Sequence, residues 1–390
     1  MRDFISDRAR NIPPSGIRKF FDLASKRKDV ISLGVGEPDF ITPWEIRGAG
    51  INALKNGYTQ YTSNKGLEEL RQEISFYLKS RFSVDFSADQ TIITLGASEA
   101  IDITLRAIVN EGDEILIPDP SYVSYKPCVE LMGGVAVSVP CSGDNGFKLT
   151  PEALEKVITP KTKAVIFPYP NNPTGGVMEK EYIQKIAPVI LKHDLLVISD
   201  EIYAELNYGE KHCSIASLPE FKDRVVLISG FSKAFAMTGW RIGYVCAPKP
   251  LLDTMLKIHQ YTAICAPIFS QYAALEGLKQ GKLDGYQTVE SMREEYDRRR
   301  RFMLGAFRDM GLECFEPKGC FYIFPCVKNT GMNGEQFAQN LLEKKSVAVV
   351  PGVAFGEFGK DYIRCSYAYS MNNLVSAMEK IAQFVKEIKG

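Results

Sequence analysis

AVIFPYPNNPTGG (residues 164–176), LLVISDEIYAEL (195–206) and VVLISGFSK (225–233) share one pattern: an apolar run of strand length that stops at polar or turn-forming residues. Runs this short and this rich in Val and Ile, without polar alternation, read as strands buried on both faces of a sheet. Upstream, TIITL (91–95) leads into the amphipathic SEAIDITLRAIV, and EILIP (114–118) leads into PDPSYVSY, rich in Pro and Tyr. Apolar runs alternating with helical stretches from Thr91 to about Ser229 predict an α/β fold, a mostly parallel sheet with helices on both faces. After roughly Leu283 the pattern changes. A charged helical stretch, SMREEYDRRRRFMLGAFRDM, precedes the strand-like FYIFP, VAVVP and YIRCSYA and a last helix, NNLVSAMEKIAQFVKEI. These predict a smaller α+β domain whose sheet need not be parallel. The expected division is a large domain over 43–283 and a small one built from 1–42 and 284–390.

A chain of 390 residues exceeds the roughly 100–200 that one domain usually takes. With 45% hydrophobic and 24% charged residues it is a globular protein with a real core. Lys+Arg and Asp+Glu both number 47, so no excess charge exists to hold a nucleic acid or an anionic membrane. Nine scattered cysteines without a CxxC pair suit reduced thiols in a cytoplasmic protein. The charged start MRDFISDRAR does not fit a signal peptide, and no run approaches the ~18 apolar residues of a membrane helix. His193, His212 and His259 lack metal-ligand spacing, so no metal is expected.

In open α/β sheets ligands bind beyond the carboxyl ends of the strands, and the chemically useful residues gather there. Gly96, Ala97 and Ser98 follow TIITL and open a helix, whose unpaired N–H groups and dipole suit a phosphate. Taken alone, such a Gly is usually only a turn. Asn171 and Asn172 follow AVIFPYP, where Pro173 and Gly175 would fix a tight turn. Asp200 ends LLVIS, and a buried carboxylate there must find a partner, whether a ligand, a helix cap or an ion pair. If DEIYAEL begins a helix, Tyr203 shares a face with Asp200. Lys233 lies in a small-residue loop with Ser229, Gly230 and Ser232, eight residues before Arg241. Most lysines are solvated surface, but one in a cleft can act on carbonyls when burial or nearby positive charge lowers its pKa. A lysine, a carboxylate and a phosphate cradle at strand ends are what pyridoxal 5'-phosphate (PLP) chemistry requires.

At these residues the chain resembles the class I and II aminotransferases, the aspartate aminotransferase family of fold type I PLP enzymes. SLGVGEPDF, YTQYTSNKGLEELR, NNPTGG, SDEIYAEL, GFSKAFAMTGWRIGY, GCFYIFP, VAVVPG and YIRCSYA carry the resemblance, in the family's order and almost from end to end. It implies that Lys233 holds PLP as a Schiff base and shuttles the proton, while Asp200 keeps the pyridine nitrogen protonated. Asn172 and Tyr203 would bond the phenolic oxygen, and Tyr122 would stack on the ring. Arg241, Ser232 and the N–H groups of Ala97 and Ser98 would hold the phosphate. Tyr61 matches a tyrosine that reaches the phosphate of a neighbouring subunit, implying a homodimer with shared sites. Arg364 matches the arginine that clamps the substrate α-carboxylate, a bidentate task, and Gly36 adds a backbone contact.

Three positions depart from the aspartate enzymes. Gly230 stands where many members place a phosphate-binding serine. Ser98 replaces a lysine that reads the side-chain carboxylate in some bacterial members, and no arginine lies near QYTAICAP. The first implies one hydrogen bond fewer to the phosphate, and the other two count against strict aspartate specificity. The expectation is a ping-pong aminotransferase acting on aromatic or bulky neutral amino acids with glutamate and 2-oxoglutarate, similar to archaeal-type aromatic and bacterial N-acetyl-diaminopimelate aminotransferases. Aspartate aminotransferase and a PLP-dependent carbon–sulfur lyase are the rivals on the same residues. A PLP-binding regulator would carry an added DNA-binding segment. A nucleotide hydrolase is excluded, because GLKQGKL lacks the spacing and hydroxyl residue of a phosphate loop.

Overall fold

The computed structural model describes residues 2–14, 16–17 and 29–389. Parts of the 1–42 stretch assigned above to the smaller domain therefore lie outside the described residues. After a short β1 (Ile31–Ser32) come the strands of the central sheet: β2 (Thr91–Thr94), β3 (Glu114–Asp119), β4 (Val135–Pro140), β5 (Thr162–Phe167), β6 (Leu196–Asp200), β7 (Val225–Gly230) and β8 (Gly243–Cys246). They lie in the order β2-β8-β7-β6-β5-β3-β4. β8 runs antiparallel to both of its neighbours, and every other pair is parallel. The carboxyl ends of β2, β3, β5, β6 and β7 therefore all face one edge of the sheet.

Side chains alternate across a strand, and the packing follows that period. Ile92, Ile115, Ile166, Ile198, Ile228 and Val245 enter one core, together with the helices Gly96–Ile108 and Lys249–Thr262. Their immediate neighbours Ile93, Leu116, Val165, Val197, Leu227 and Tyr244 enter another, beneath Glu68–Phe82, Lys180–Lys192 and Ile268–Asp284. Helices on both faces explain why the strands read as unbroken apolar runs: a polar residue on either side would be buried without water.

Gly285, at φ 72°, ends the helix Ile268–Asp284, and the long helix Gln287–Asp309 starts just beyond it. A third core follows, in which that helix packs with Gly334–Lys345 and Met371–Lys389 around Phe321, Ile323, Ile363 and Cys365. Its strands are β9 (Tyr322–Ile323), β10 (Val347–Ala348), β11 (Val350–Pro351) and β12 (Ile363–Ser366). β12 sits antiparallel between β11 and β9, and β10 pairs in parallel with β1. Leu33 belongs to this core, so the chain segment just after β1 is tied to the C-terminal part of the molecule. VAVVP is two short strands rather than one.

Candidate active site

The strand ends at the common edge enclose a cavity of about 630 Å³. β6 delivers Asp200, whose carboxylate is buried. It accepts hydrogen bonds from Tyr125 Oη at 2.7 Å and from the Ile202 N–H at 3.2 Å. No lysine or arginine pairs with it among the described residues, and burial raises its pKa to about 6. Residues 202–205 form successive turns instead of the helix considered above. Tyr203 reaches the cavity from those turns, with its hydroxyl 2.9 Å from that of Tyr322.

The loop after β7 brings Lys233 into the same cavity, where its Nζ donates to the Gly36 carbonyl at 2.7 Å. Burial is the main cause lowering its pKa to about 8; Glu37 opposes the shift, while Arg364 and Arg241 add to it. A buried amine near neutrality at moderate pH is a nucleophile, which a solvated lysine is not. Gly230 has no room for a hydroxymethyl group: a Cβ there would lie 2.8 Å from Gly243 Cα and 3.1 Å from the Ile242 carbonyl. The close approach of β8 leaves no space for a serine at this position.

At the end of β2, Gly96 turns at φ 76° and the helix Gly96–Ile108 begins without a side-chain cap. The N–H groups of Gly96, Ala97 and Ser98 find no acceptor among the described residues. Beside them lies Arg241, itself in the left-handed region, with Nη2 3.0 Å from where a Gly96 Cβ would stand. Ser232 also lines the cavity. Free amide donors, a helix dipole and a guanidinium together form an anion cradle.

From the C-terminal core, β12 contributes Arg364, of which only 2% is exposed. Its Nη1 donates to Asn172 Oδ1 at 2.8 Å and its Nη2 to the Gly34 carbonyl, while Nε has no partner among the described residues. The guanidinium lies between the rings of Tyr322 and Phe355, at 4.4 and 4.7 Å. Its polar partners are thus neutral acceptors, and its charge is uncompensated. Tyr122 lines the cavity edge-on to Tyr125, at 5.5 Å.

Gly36, Ala97, Ser98, Tyr122, Asn172, Asp200, Tyr203, Ser232, Lys233, Arg241 and Arg364 therefore share one cavity. Tyr61 does not: it is 79% exposed, outside that cavity. Tyr125 and Tyr322 were not singled out from the sequence. Tyr125 stands three residues after Tyr122, a spacing that can place both on one side of a turn. Tyr322 sits within GCFYIFP but carries no chemical signal of its own. Among the described residues no cluster of His, Cys, Asp and Glu could hold a metal, and no helix is long and apolar enough to cross a membrane.

The sequence pattern of the family described as aminotransferase class I and II matches residues 28–381. The chain belongs to that family. A relative in Bacillus subtilis (strain 168), named "Putative aminotransferase YugH", is 53% identical over 99% of each chain. An aspartate aminotransferase of Pyrococcus abyssi (strain GE5 / Orsay) is 45% identical, again over 99% of each. The crystal structure of an aromatic aminotransferase from Pyrococcus horikoshii OT3 superposes with a TM-score of 0.90 at 43% identity, covering 96% of this chain and 99% of that one. The protein is a PLP-dependent aminotransferase of fold type I. Its cavity fits that cofactor. A buried, uncompensated carboxylate suits a pyridinium, a cradle of free N–H groups suits a phosphate, and an amine of depressed pKa suits an aldehyde.

Proposed function

We propose that the enzyme transfers the amino group of aromatic or other bulky neutral L-amino acids to a 2-oxo acid such as 2-oxoglutarate. The observation that carries this substrate choice is the cationic content of the cavity. Among its described lining residues only Lys233, Arg241 and Arg364 are basic, and Glu37 and Asp200 are acidic. Once Arg241 is committed to phosphate and Arg364 to the α-carboxylate, no cation remains among the described lining residues to offset desolvation of a second carboxylate.

In this reading Lys233 Nζ would bond the aldehyde of PLP and would move the proton of the donor Cα. PLP supplies the aldehyde for that bond and an electron sink for the carbanion. Asp200, held by Tyr125, sustains the sink by pairing with the pyridine nitrogen. Asn172 and Tyr203 would hold the phenolic oxygen, and Tyr122 would hold the ring. Ser232, Arg241 and the amides of Ala97 and Ser98 hold the phosphate, and Gly36 closes over the substrate. Tyr61, exposed as are apolar Ile41, Trp44, Leu54 and Tyr58, would reach the partner's phosphate in a cytoplasmic homodimer.

A relative named as an aspartate aminotransferase at 45% identity favours aspartate as the second reading. Stopped-flow absorbance with single amino acids and no 2-oxo acid separates the two, with Lys233→Ala as the control. The cofactor band should convert faster with Phe or Tyr than with Asp or acetyl-diaminopimelate. A reversed ranking moves the assignment to whichever of those donors leads.

A further inference from the structure

The cradle at the start of helix Gly96–Ile108 depends on donors that proteins ordinarily cap. A serine, threonine or aspartate before the helix would bond the amides two or three residues on. The residue there is Leu95, which has no such group. An acid does stand in the first turn: Glu99, next to Ser98 in the chain and two residues after Ala97.

Both oxygens of Glu99 are engaged elsewhere. Oε2 accepts the Leu95 N–H at 2.6 Å, a bond from the fourth helical residue back to the N-cap backbone. Oε1 is 2.7 Å from His259 Nδ1. His259 comes from the last turn of the neighbouring helix Lys249–Thr262 and is fully buried, and Glu99 is nearly so. The His259 Nε2 has no partner among the described residues. A proton there would be buried without an acceptor, so the ring proton belongs on Nδ1, donated to Glu99. Glu99 does not line the cavity. Leu95 is pinned from the other side as well, its carbonyl accepting from Arg241 Nη2 at 3.4 Å, and Thr94 Oγ1 donates to the Gly96 carbonyl at 3.0 Å.

We propose that His259 and Glu99 are positioning residues for the cofactor phosphate: His259 holds the Glu99 carboxylate on the Leu95 N–H, so that the amides of Ala97 and Ser98 stay open to the phosphate. Released from His259, the carboxylate would swing onto those amides and place a negative charge where the phosphate binds. The inference rests on the phosphate-binding role proposed above for that helix terminus. Neither residue touches cofactor or substrate.

The test titrates the full-length apoenzyme with PLP, with pyridoxal, which lacks the phosphate, and with inorganic phosphate. His259→Ala should weaken PLP and phosphate binding by about five- to tenfold, the size of a charge effect at a helix terminus. Pyridoxal binding should be unchanged. His259→Asn, which keeps a donor, should bind PLP like the wild type. Adding Glu99→Gln to His259→Ala removes the competing charge and should restore the lost affinity. Should His259→Ala not fold, the proposal stands or falls on His259→Phe, which keeps a ring but no donor: it must weaken PLP and leave pyridoxal unaffected, and adding Glu99→Gln to it must restore PLP binding. Equal losses for PLP and pyridoxal, or no loss for either, overturn the proposal. Wild-type apoenzyme that binds pyridoxal as tightly as PLP would instead remove the phosphate cradle itself.

Discussion

Replacing Asp200 by asparagine should make the cofactor-free protein more stable while disabling the enzyme. Burial raises the Asp200 pKa from 3.8 to about 6, because the carboxylate has lost water and gained only Tyr125 and one backbone N–H. For an acid whose folded pKa lies above its unfolded value, the folded state binds the extra proton between the two. Stability therefore falls as pH rises from about 4 to about 6, and the full penalty persists above that. A shift of roughly two units corresponds to about 3 kcal/mol. The asparagine side chain would carry no charge and could keep an acceptor for Tyr125 and Ile202. Urea denaturation of the two apoenzymes at pH 7.5 should thus favour Asp200→Asn by about 2–3 kcal/mol, with the advantage shrinking as pH drops through 6. In the PLP-bound form the advantage should vanish or reverse, and the half-reaction with an amino acid should slow by about a hundredfold or more. An apo variant no more stable than wild type at pH 7.5, or an advantage independent of pH, would refute the idea that Asp200 is a buried charge awaiting a cation.

Lys233 titrates in the opposite sense. Its pKa is lowered to about 8, so the neutral amine that attacks an aldehyde grows with pH up to that point. The rate of covalent PLP capture by apoenzyme, followed by absorbance, should rise about tenfold per pH unit below 8 and level off above it; a rise continuing toward pH 10 would mean that the lysine is solvated. Gly36→Ala should damage the site from the other side, since an added Cβ would lie 2.3 Å from Tyr322 Oη. Displacing that ring breaks its contact with Tyr203 and shifts the Gly36 carbonyl off Lys233. We expect a stability loss of about 1–3 kcal/mol in thermal unfolding and a fall in kcat/KM of about tenfold or more. Unchanged kinetics would show that Tyr322 is free to move.

Central strands were legible because burial on both sheet faces leaves an unbroken apolar run, as in VVLIS. β4 and β8 were not. β4 is an edge strand whose residues are mostly half-buried or exposed, so no pattern marks it. β8 hides inside GWRIGYVCA, a stretch dominated by its motif. Residues whose chemistry is local, such as Lys233 or Asp200 at a strand end, could be placed from sequence alone. Tyr322, Gly34 and the His259–Glu99 pair could not, because each matters only through a contact with a residue at least 119 positions away. Gly230 shows the same limit: its sequence position signals a missing hydroxyl, but the reason is a backbone crossing visible only in three dimensions.

The resting site holds each of its charges in poor company. Asp200 faces a phenol and an amide, Arg364 two neutral carbonyl oxygens, Arg241 two backbone carbonyls, and Lys233 a third. Pairing these groups with one another would satisfy them more fully. The fold prevents it by mounting them on separate strand ends and, for Arg364, on a different core. A ligand bearing a pyridinium, a phosphate and an aldehyde, followed by an α-carboxylate, matches each group in turn. That cost is recoverable on binding: whatever these groups give up in desolvation is offset when a ligand pairs with them, since anything that binds only the folded state stabilises it by mass action. The same arrangement explains why substrate choice is hard to read from sequence. In the roles proposed above, the described cations of the cavity go to the cofactor and to the α-carboxylate that every amino-acid substrate shares, which would leave discrimination to shape and to Glu37.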